Sequence, residues 1–398
     1  LGGLRRTWTV WWRKSTIRLG CVQCRCASST GDGAPWRIDR PTKGLKQRIG
    51  SSCLQPGQKT GLFSDLYLPL IWINQTEEQN RYLWVAMQPR LITLTLNPAL
   101  DLAADADAVV PTHKVRMHHE HADPGGGGVN VARVLHELGG DALAILAVGG
   151  ASGRVIEEML EEAGLKLCCV QISGLTRVSL NVQDRSSGLE YRFVPEGPPL
   201  SVAEFRACLA AVEQERGDWL IASGSLPNGV PEDAYAEVAR IAIRRGQRFV
   251  LDTSGVALAA ALDQGGCELV KPSLGELEYL VGRPLKDPAE QDEEALNLVR
   301  RGAARMVAVT LGAEGALLAT GNGVLRMPAM DVPMQSSVGA GDAFLAAATL
   351  TLARGGSPMD ALAWGTAAGA AVVACAGTAR LRQADVDVRY RALCCAVC

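Results

Sequence analysis

From Leu91 onward the chain alternates short apolar runs with amphipathic stretches, and Gly, Pro, Asn or Asp stands at most boundaries between them. That rhythm leaves few folds open. Leu91–Leu96, Ala142–Val148, Trp219–Ser223, Arg248–Asp252, Glu268–Val270 and Met306–Thr310 are aliphatic or β-branched and too short for helices, so they read as strands buried on both faces. Val129–Leu138, Ser152–Ala163, Val202–Glu215, Pro231–Arg245, Gly275–Val281 and Glu293–Arg301 lie between them and carry the helical period. The expected fold class is α/β, a central and mostly parallel sheet with helices on both faces.

Two stretches break the rhythm. Asp101–Asp123 and Arg177–Pro195 contain alternating segments, with Leu180 and Val182 before a Ser186-Ser187-Gly188 turn and Tyr191 and Phe193 after it. These read as an antiparallel hairpin and a small β lid over a site. Near the C-terminus, Asp342–Leu352 and Pro358–Cys375 are Ala- and Gly-rich helices. The second is apolar, but its small residues suit close interior packing, and it falls short of the roughly 20 residues that span a bilayer. No membrane span is expected.

The first 60 residues hold 12 Lys and Arg against only Asp32 and Asp39, and the stretch ahead of Met87 has six of the eight Trp and no periodicity. Residues 1–86 therefore read as an upstream extension, not a folded domain, with a native start at Met87; a domain over 87–393 and a short tail at 394–398 complete the expected layout. Cys21, Cys24 and Cys26 lack the further Cys or His pair a tetrahedral zinc site needs. Cys168, Cys169, Cys208, Cys267 and Cys375 sit among apolar residues, as reduced core thiols of a cytoplasmic protein would. A net charge of −2 gives no electrostatic reason to bind nucleic acid or anionic lipid.

The segment richest in chemistry is Ser336-Ser337-Val338-Gly339-Ala340-Gly341-Asp342. Small residues running into a helix let the backbone N–H groups of Gly339, Ala340, Gly341 and Asp342 converge on an anion at the positive end of the helix. Asp342 would repel that anion as a ligand, but it is well placed to take a proton from a hydroxyl attacking it. Taken alone, Asp342 also fits an ordinary first-turn helix acid. No phosphate-binding GxxxxGK[ST] loop occurs, and Gly149-Gly150-Ala151-Ser152-Gly153 has the wrong spacing for a dinucleotide fingerprint. Gly125-Gly126-Gly127-Gly128-Val129-Asn130 runs straight into an amphipathic helix, which a linker would not do, so backbone is expected to lie against a sugar there with Asn130 bonding its hydroxyls.

With Thr95-Leu96-Asn97-Pro98-Ala99-Leu100-Asp101, Ser223-Gly224-Ser225-Leu226-Pro227, Lys271-Pro272 and Thr310-Leu311-Gly312-Ala313-Glu314-Gly315 added in order, residues 91–391 resemble the ribokinase/PfkB carbohydrate kinase family. Within it they are most similar to the branch of phosphofructokinases and tagatose-6-phosphate kinases. The resemblance implies a ribokinase-like sandwich and ATP-dependent phosphorylation of the carbon-1 hydroxyl of fructose 6-phosphate, with fructose 1-phosphate and tagatose 6-phosphate as alternative substrates. It implies Asp342 as base, with Gly339, Ala340 and Gly341 as anion hole, and Asp101, Gly126 and Asn130 on the sugar. Lys114, Arg116 and Arg177 would then grip the substrate phosphate, while Lys271, Thr310, Gly312 and Gly315 surround the nucleotide. Glu276 would reach Mg²⁺ through water; K⁺ is a further candidate cation. A homodimer through the lid is also implied. Ser273 stands where the family usually has Asn, which implies weakened use of magnesium or ATP. A silent sugar-phosphate sensor on the same fold is the reading from another class, and turnover separates the two.

Overall fold

The computed structural model describes residues 88–335, 338–375 and 381–397. Residues 1–87, with Cys21, Cys24 and Cys26 and the expected start at Met87, lie outside the described residues, as do Ser336 and Ser337. Seven parallel strands form most of a nine-stranded sheet: β1 (Arg90–Thr95), β4 (Asp141–Val148), β5 (Lys166–Gln171), β8 (Trp219–Ser223), β9 (Arg248–Asp252), β10 (Cys267–Val270) and β11 (Ala304–Thr310). β12 (Ala316–Thr320) and β13 (Gly323–Met327) extend one edge antiparallel, so the order is β13-β12-β11-β10-β9-β8-β1-β4-β5.

Because strand side chains alternate, each strand feeds two cores. Ile92, Leu94, Leu220, Ala222, Val307 and Val309 pack on one face under α3 (Val202–Gln214), α4 (Ala234–Arg244), α5 (Gly255–Gln264), α6 (Leu274–Val281) and α7 (Pro288–Arg300). Leu91, Trp219, Ile221, Met306 and Ala308 pack on the other under α1 (Gly127–Glu137), α8 (Ala340–Ala353), α9 (Pro358–Val373) and α10 (Gln383–Val397). α2 (Gly150–Glu162) adds Ile156 and Leu160 beside β4. The apolar α9 is interior: a Cβ on Gly365 would stand 2.9 Å from the Phe344 ring, so the missing side chain is what lets α9 lie on α8. Among the described residues no helix is long and apolar enough to cross a membrane. Cys168, Cys169, Cys208, Cys267 and Cys375 are all free thiols, with Cys208 and Cys267 buried.

A second sheet of four strands has the order β3-β2-β6-β7, built from β2 (Ala99–Ala106), β3 (Met117–Gly125), β6 (Arg177–Asp184) and β7 (Glu190–Phe193). β6 and β7 form the hairpin expected over 177–195, pairing Leu180 with Phe193 and Val182 with Tyr191. Its turn is held by Asp184, whose Oδ1 accepts from the Ser186 and Ser187 N–H groups at 2.8 and 3.2 Å. The Ser186 hydroxyl, donating at 2.7 Å, and the Val109 N–H, at 3.1 Å, with a smaller part from Ser187, hold the Asp184 carboxyl down at about 2. β2 joins this hairpin in parallel, an alignment that two separate alternating segments do not announce. At the C-terminus residues 394–397 continue α10 as its last turn.

Candidate active site

The groups singled out in the sequence gather at the carboxyl ends of the parallel strands, where open α/β sheets place their ligand crevices. Asn97 follows β1, Ser223 ends β8, Lys271 follows β10 and Thr310 ends β11, and Asp252, which belongs to none of the sequence motifs, ends β9 among them. The small sheet covers this end, and a cleft of about 370 Å³ lies beneath it. Its walls bring together Asp101, Gly126, Asn130, Arg177, Gly339 and Asp342. Ser179, Asn181 and Arg192, which belong to none of the sequence motifs, also line it. A signal for Arg192 was present: in a strand of period two it faces away from Tyr191 and Phe193.

The glycine run has a tertiary cause at each position. A Cβ on Gly125 would enter the Asp101 carboxylate, one on Gly127 would stand 2.9 Å from the Gly224 nitrogen, and one on Gly128 would stand 2.6 Å from the Leu94 carbonyl oxygen. Gly126 has φ +109°, which a side chain disfavours. The run is thus demanded first by the protein's own strands, and this close approach sets Asn130 one turn into α1. From there its Nδ2 donates to Asp342 Oδ2 at 2.9 Å.

Gly339 precedes α8 with φ +77°, and a Cβ there would meet nothing within 4 Å. The left-handed turn therefore leaves room in front of the N–H groups of the first helical turn, which have no partner within the helix. Asp342 is partly buried and densely surrounded. Burial first, then the Asp252 carboxylate and more weakly Asp101, push its carboxyl up to about 7, against the opposing pull of Asn130 and Lys271. A carboxylate poised near neutral pH is a competent proton acceptor. Asp101 is likewise raised by burial, with Ser179, Arg177 and Arg192 acting to lower it.

Lys271 is 5% exposed and pairs with Asp252 Oδ1 at 3.0 Å. Burial disfavours its charge, yet Asp252, Asp342 and Glu276 together more than offset this and raise its proton affinity. Ser273 caps α6: its backbone N–H donates to Glu276 Oε2 at 2.7 Å, and its Oγ accepts from the Glu276 N–H at 3.3 Å. Ser273 and Glu276 thus form a capping box, in which both groups already have partners. Gly312 stands in a 3₁₀ turn with φ +60° and open space around it, whereas Gly315 packs 2.6 Å, measured from an added Cβ, from the Pro328 carbonyl carbon. Gly312 leaves room for a ligand; Gly315 serves the chain.

Arg177 donates to the carbonyls of Asn97 at 3.0 Å, Pro98 at 3.4 Å and Pro195 at 3.0 Å, which aim it at the cleft and leave two N–H groups over. Lys114 and Arg116 are exposed on the loop between β2 and β3 and do not line the cleft. The cations on its wall are Arg177 and Arg192.

A cleft that faces a helix start and a near-neutral carboxyl holds the parts that phosphoryl transfer to a hydroxyl requires. Comparison with known proteins narrows that class. Residues 94–384 match the pfkB family of carbohydrate kinases. An ATP-dependent 6-phosphofructokinase isozyme 2 of Mycobacterium tuberculosis is 42% identical over 306 residues, 76% of this chain and 90% of that protein. A 1-phosphofructokinase of Xanthomonas campestris is 34% identical over 265 residues, 65% of this chain and 83% of that one. The crystal structure of phosphofructokinase-2 from Escherichia coli in complex with potassium superposes with a TM-score of 0.74 at 39% identity, covering 77% of this chain and all of that one. The chain belongs to the pfkB family of carbohydrate kinases and has the ribokinase-like fold.

Proposed function

We propose that the chain is an ATP-dependent 6-phosphofructokinase, transferring the terminal phosphoryl group of ATP to the carbon-1 hydroxyl of fructose 6-phosphate and so forming fructose 1,6-bisphosphate. The observation that carries this is the Asp342 carboxylate, held by Asn130 at 2.9 Å at the start of α8, facing Asp101 and Arg177 across one cleft. Asp101 and Asn130 hold the sugar hydroxyls, and Arg177 with Arg192 neutralises the 6-phosphate. Asp342 takes the hydroxyl proton as the oxygen attacks phosphorus, while the N–H groups of Ala340, Gly341 and Asp342 stabilise charge on the transferring oxygens. Lys114 and Arg116 reach the substrate only by loop closure or from a second copy. For that copy the lid sheet offers Val178 and Phe193, which are 37% and 56% exposed. Sedimentation of the protein, expected to give a dimer that Phe193→Asp dissociates, tests this interface.

Among the described residues no group of three His, Cys, Asp or Glu could cage a metal. That suits Mg²⁺, which takes one or two carboxylates plus substrate phosphates, and Glu276 is the carboxylate available to it through water. Bound with ATP, it would supply neutralisation of the phosphate oxygens. Ser273 lacks the side-chain amide that Asn would offer to magnesium and phosphate, so magnesium use is expected to be weakened; the bond from the residue-273 N–H to Glu276 is donated by backbone and survives either residue. Asn caps a helix as well as Ser does. Ser273→Asn should therefore leave melting unchanged while lowering the magnesium concentration for half-maximal rate; an unchanged requirement shows that the serine carries no cost.

Gly127 favours fructose 6-phosphate over fructose 1-phosphate or tagatose 6-phosphate. Relatives acting on the latter two commonly carry Lys at that place, and here a side chain would collide with Ser223. The deciding experiment assays the three sugar phosphates with wild type and Asp342→Asn. Fructose 6-phosphate should give the highest kcat/KM; preference for another sugar phosphate overturns the substrate, and binding without turnover favours the silent sensor. Arg177→Ala should raise KM for the sugar phosphate about 10- to 100-fold, as expected for losing a charged hydrogen bond, with KM for ATP nearly unchanged.

A further inference from the structure

Asp252 was not singled out in the sequence, yet it joins three strands of the site. Its Oδ1 holds Lys271 Nζ at 3.0 Å, and its Oδ2 accepts from Ser223 Oγ at 3.2 Å. Both charged side chains are enclosed, at 15% exposure for Asp252 and 6% for Lys271. The ammonium they fix lies directly against the catalytic turn: a Cβ on Gly341 would stand 3.3 Å from Lys271 Nζ and 3.8 Å from its Cε. A side chain at 341 would crowd the ammonium, and the bare backbone there leaves it room.

Resting on the function proposed above, we propose that Asp252 is a positioning residue for phosphoryl transfer: it holds the Lys271 ammonium beside Gly341, at the anion hole, and off the Asp342 carboxylate. Lysine is a compact charge on a flexible stem, so its place depends on which anion holds it. The carboxylates that bear on Lys271 are Asp252, Asp342 and Glu276, and Glu276 is committed to its capping box. Without Asp252 the ammonium would turn to Asp342 and occupy the lone pair that must receive the hydroxyl proton. With Asp252 in place, one cation serves the transferring oxygens and the base stays free. Asp342 is otherwise faced by Asn130 and Asp101, neither of which can displace Lys271.

The test uses the full chain and the sugar phosphate that the wild type turns over, with Asp252→Asn, Lys271→Met and the double variant. The double variant leaves no unpaired buried charge, which keeps the comparison open if a single variant melts early. Asp252→Asn is expected to lower kcat on the order of 100-fold, with KM for the sugar phosphate little changed. The acidic limb of its kcat/KM profile should move to lower pH, because Asp342 loses a nearby negative charge and gains a closer positive one. In the Lys271→Met background Asp252→Asn should add almost nothing. Multiplying effects, or recovery of Asp252→Asn at high Mg²⁺, would overturn the proposal, since Asp252 would then act independently of Lys271 or through the metal. If the wild type turns over no sugar phosphate, the proposed function fails by itself. The titration of Asp342, read as the difference in melting between each background and its Asp342→Asn derivative across pH, must still shift downward with Asp252→Asn, and a fixed midpoint overturns the positioning role.

Discussion

Replacing Asp342 with Asn should lower kcat by about 10²- to 10⁴-fold, the range over which a positioned general base contributes, while KM for the sugar phosphate changes little. Asparagine fits the same space but cannot take the proton. The pH profile gives a second signature. Because the wild-type carboxyl is pushed up to about 7, its kcat/KM should fall tenfold per pH unit below that value, and the residual activity of the variant should lose that limb. The sign of the stability effect follows from the same shift. The folded-state proton affinity lies above the ordinary value of 3.8, so the fold favours the protonated form. Stability from this group is present at low pH and is lost as pH rises through about 7. Asp342→Asn, neutral throughout, should therefore melt no lower than wild type at pH 8 and gain most there. A variant that is inactive and also markedly less stable would show Asp342 to be structural.

The glycine run supplies the largest expected effect on stability. Gly128→Ala places a methyl 2.6 Å from the Leu94 carbonyl oxygen, against backbone of the central strand that cannot give way. Overpacking of this kind costs about 1–3 kcal/mol, occasionally more, and the denaturation midpoint should fall accordingly. Gly275→Ala is the control. It lies in α6 with nothing within 4 Å of the added methyl, and should be neutral or stabilising by a few tenths to about 1 kcal/mol. Equal behaviour of the two variants would refute the close-approach account of the run.

The parallel strands were legible because burial on both faces makes each a continuous apolar run bounded by turn residues, as Trp219–Ser223 and Arg248–Asp252 show. β5 was missed because Lys166–Gln171 is a half-exposed edge strand with polar ends. The β12–β13 pair was missed although Gly321-Asn322 marks its turn. α5 and α10 went unnoticed because their apolar period is weak. The site was legible as separate segments: Asn130 and Asp342 each stood out by local pattern, one after a glycine run and one at a helix start.

Their meeting was not legible, since 212 residues separate the two partners of that 2.9 Å bond. Local sequence determines which backbone turns can form and which side chains they carry, because those depend on near neighbours along the chain. The gathering of strand ends under the lid, the Asp252–Lys271 pair and the near-neutral Asp342 arise from burial and from charges brought close by packing. Desolvation and Coulomb energies depend on distance in space, so only the folded chain could turn a first-turn helix acid into a base.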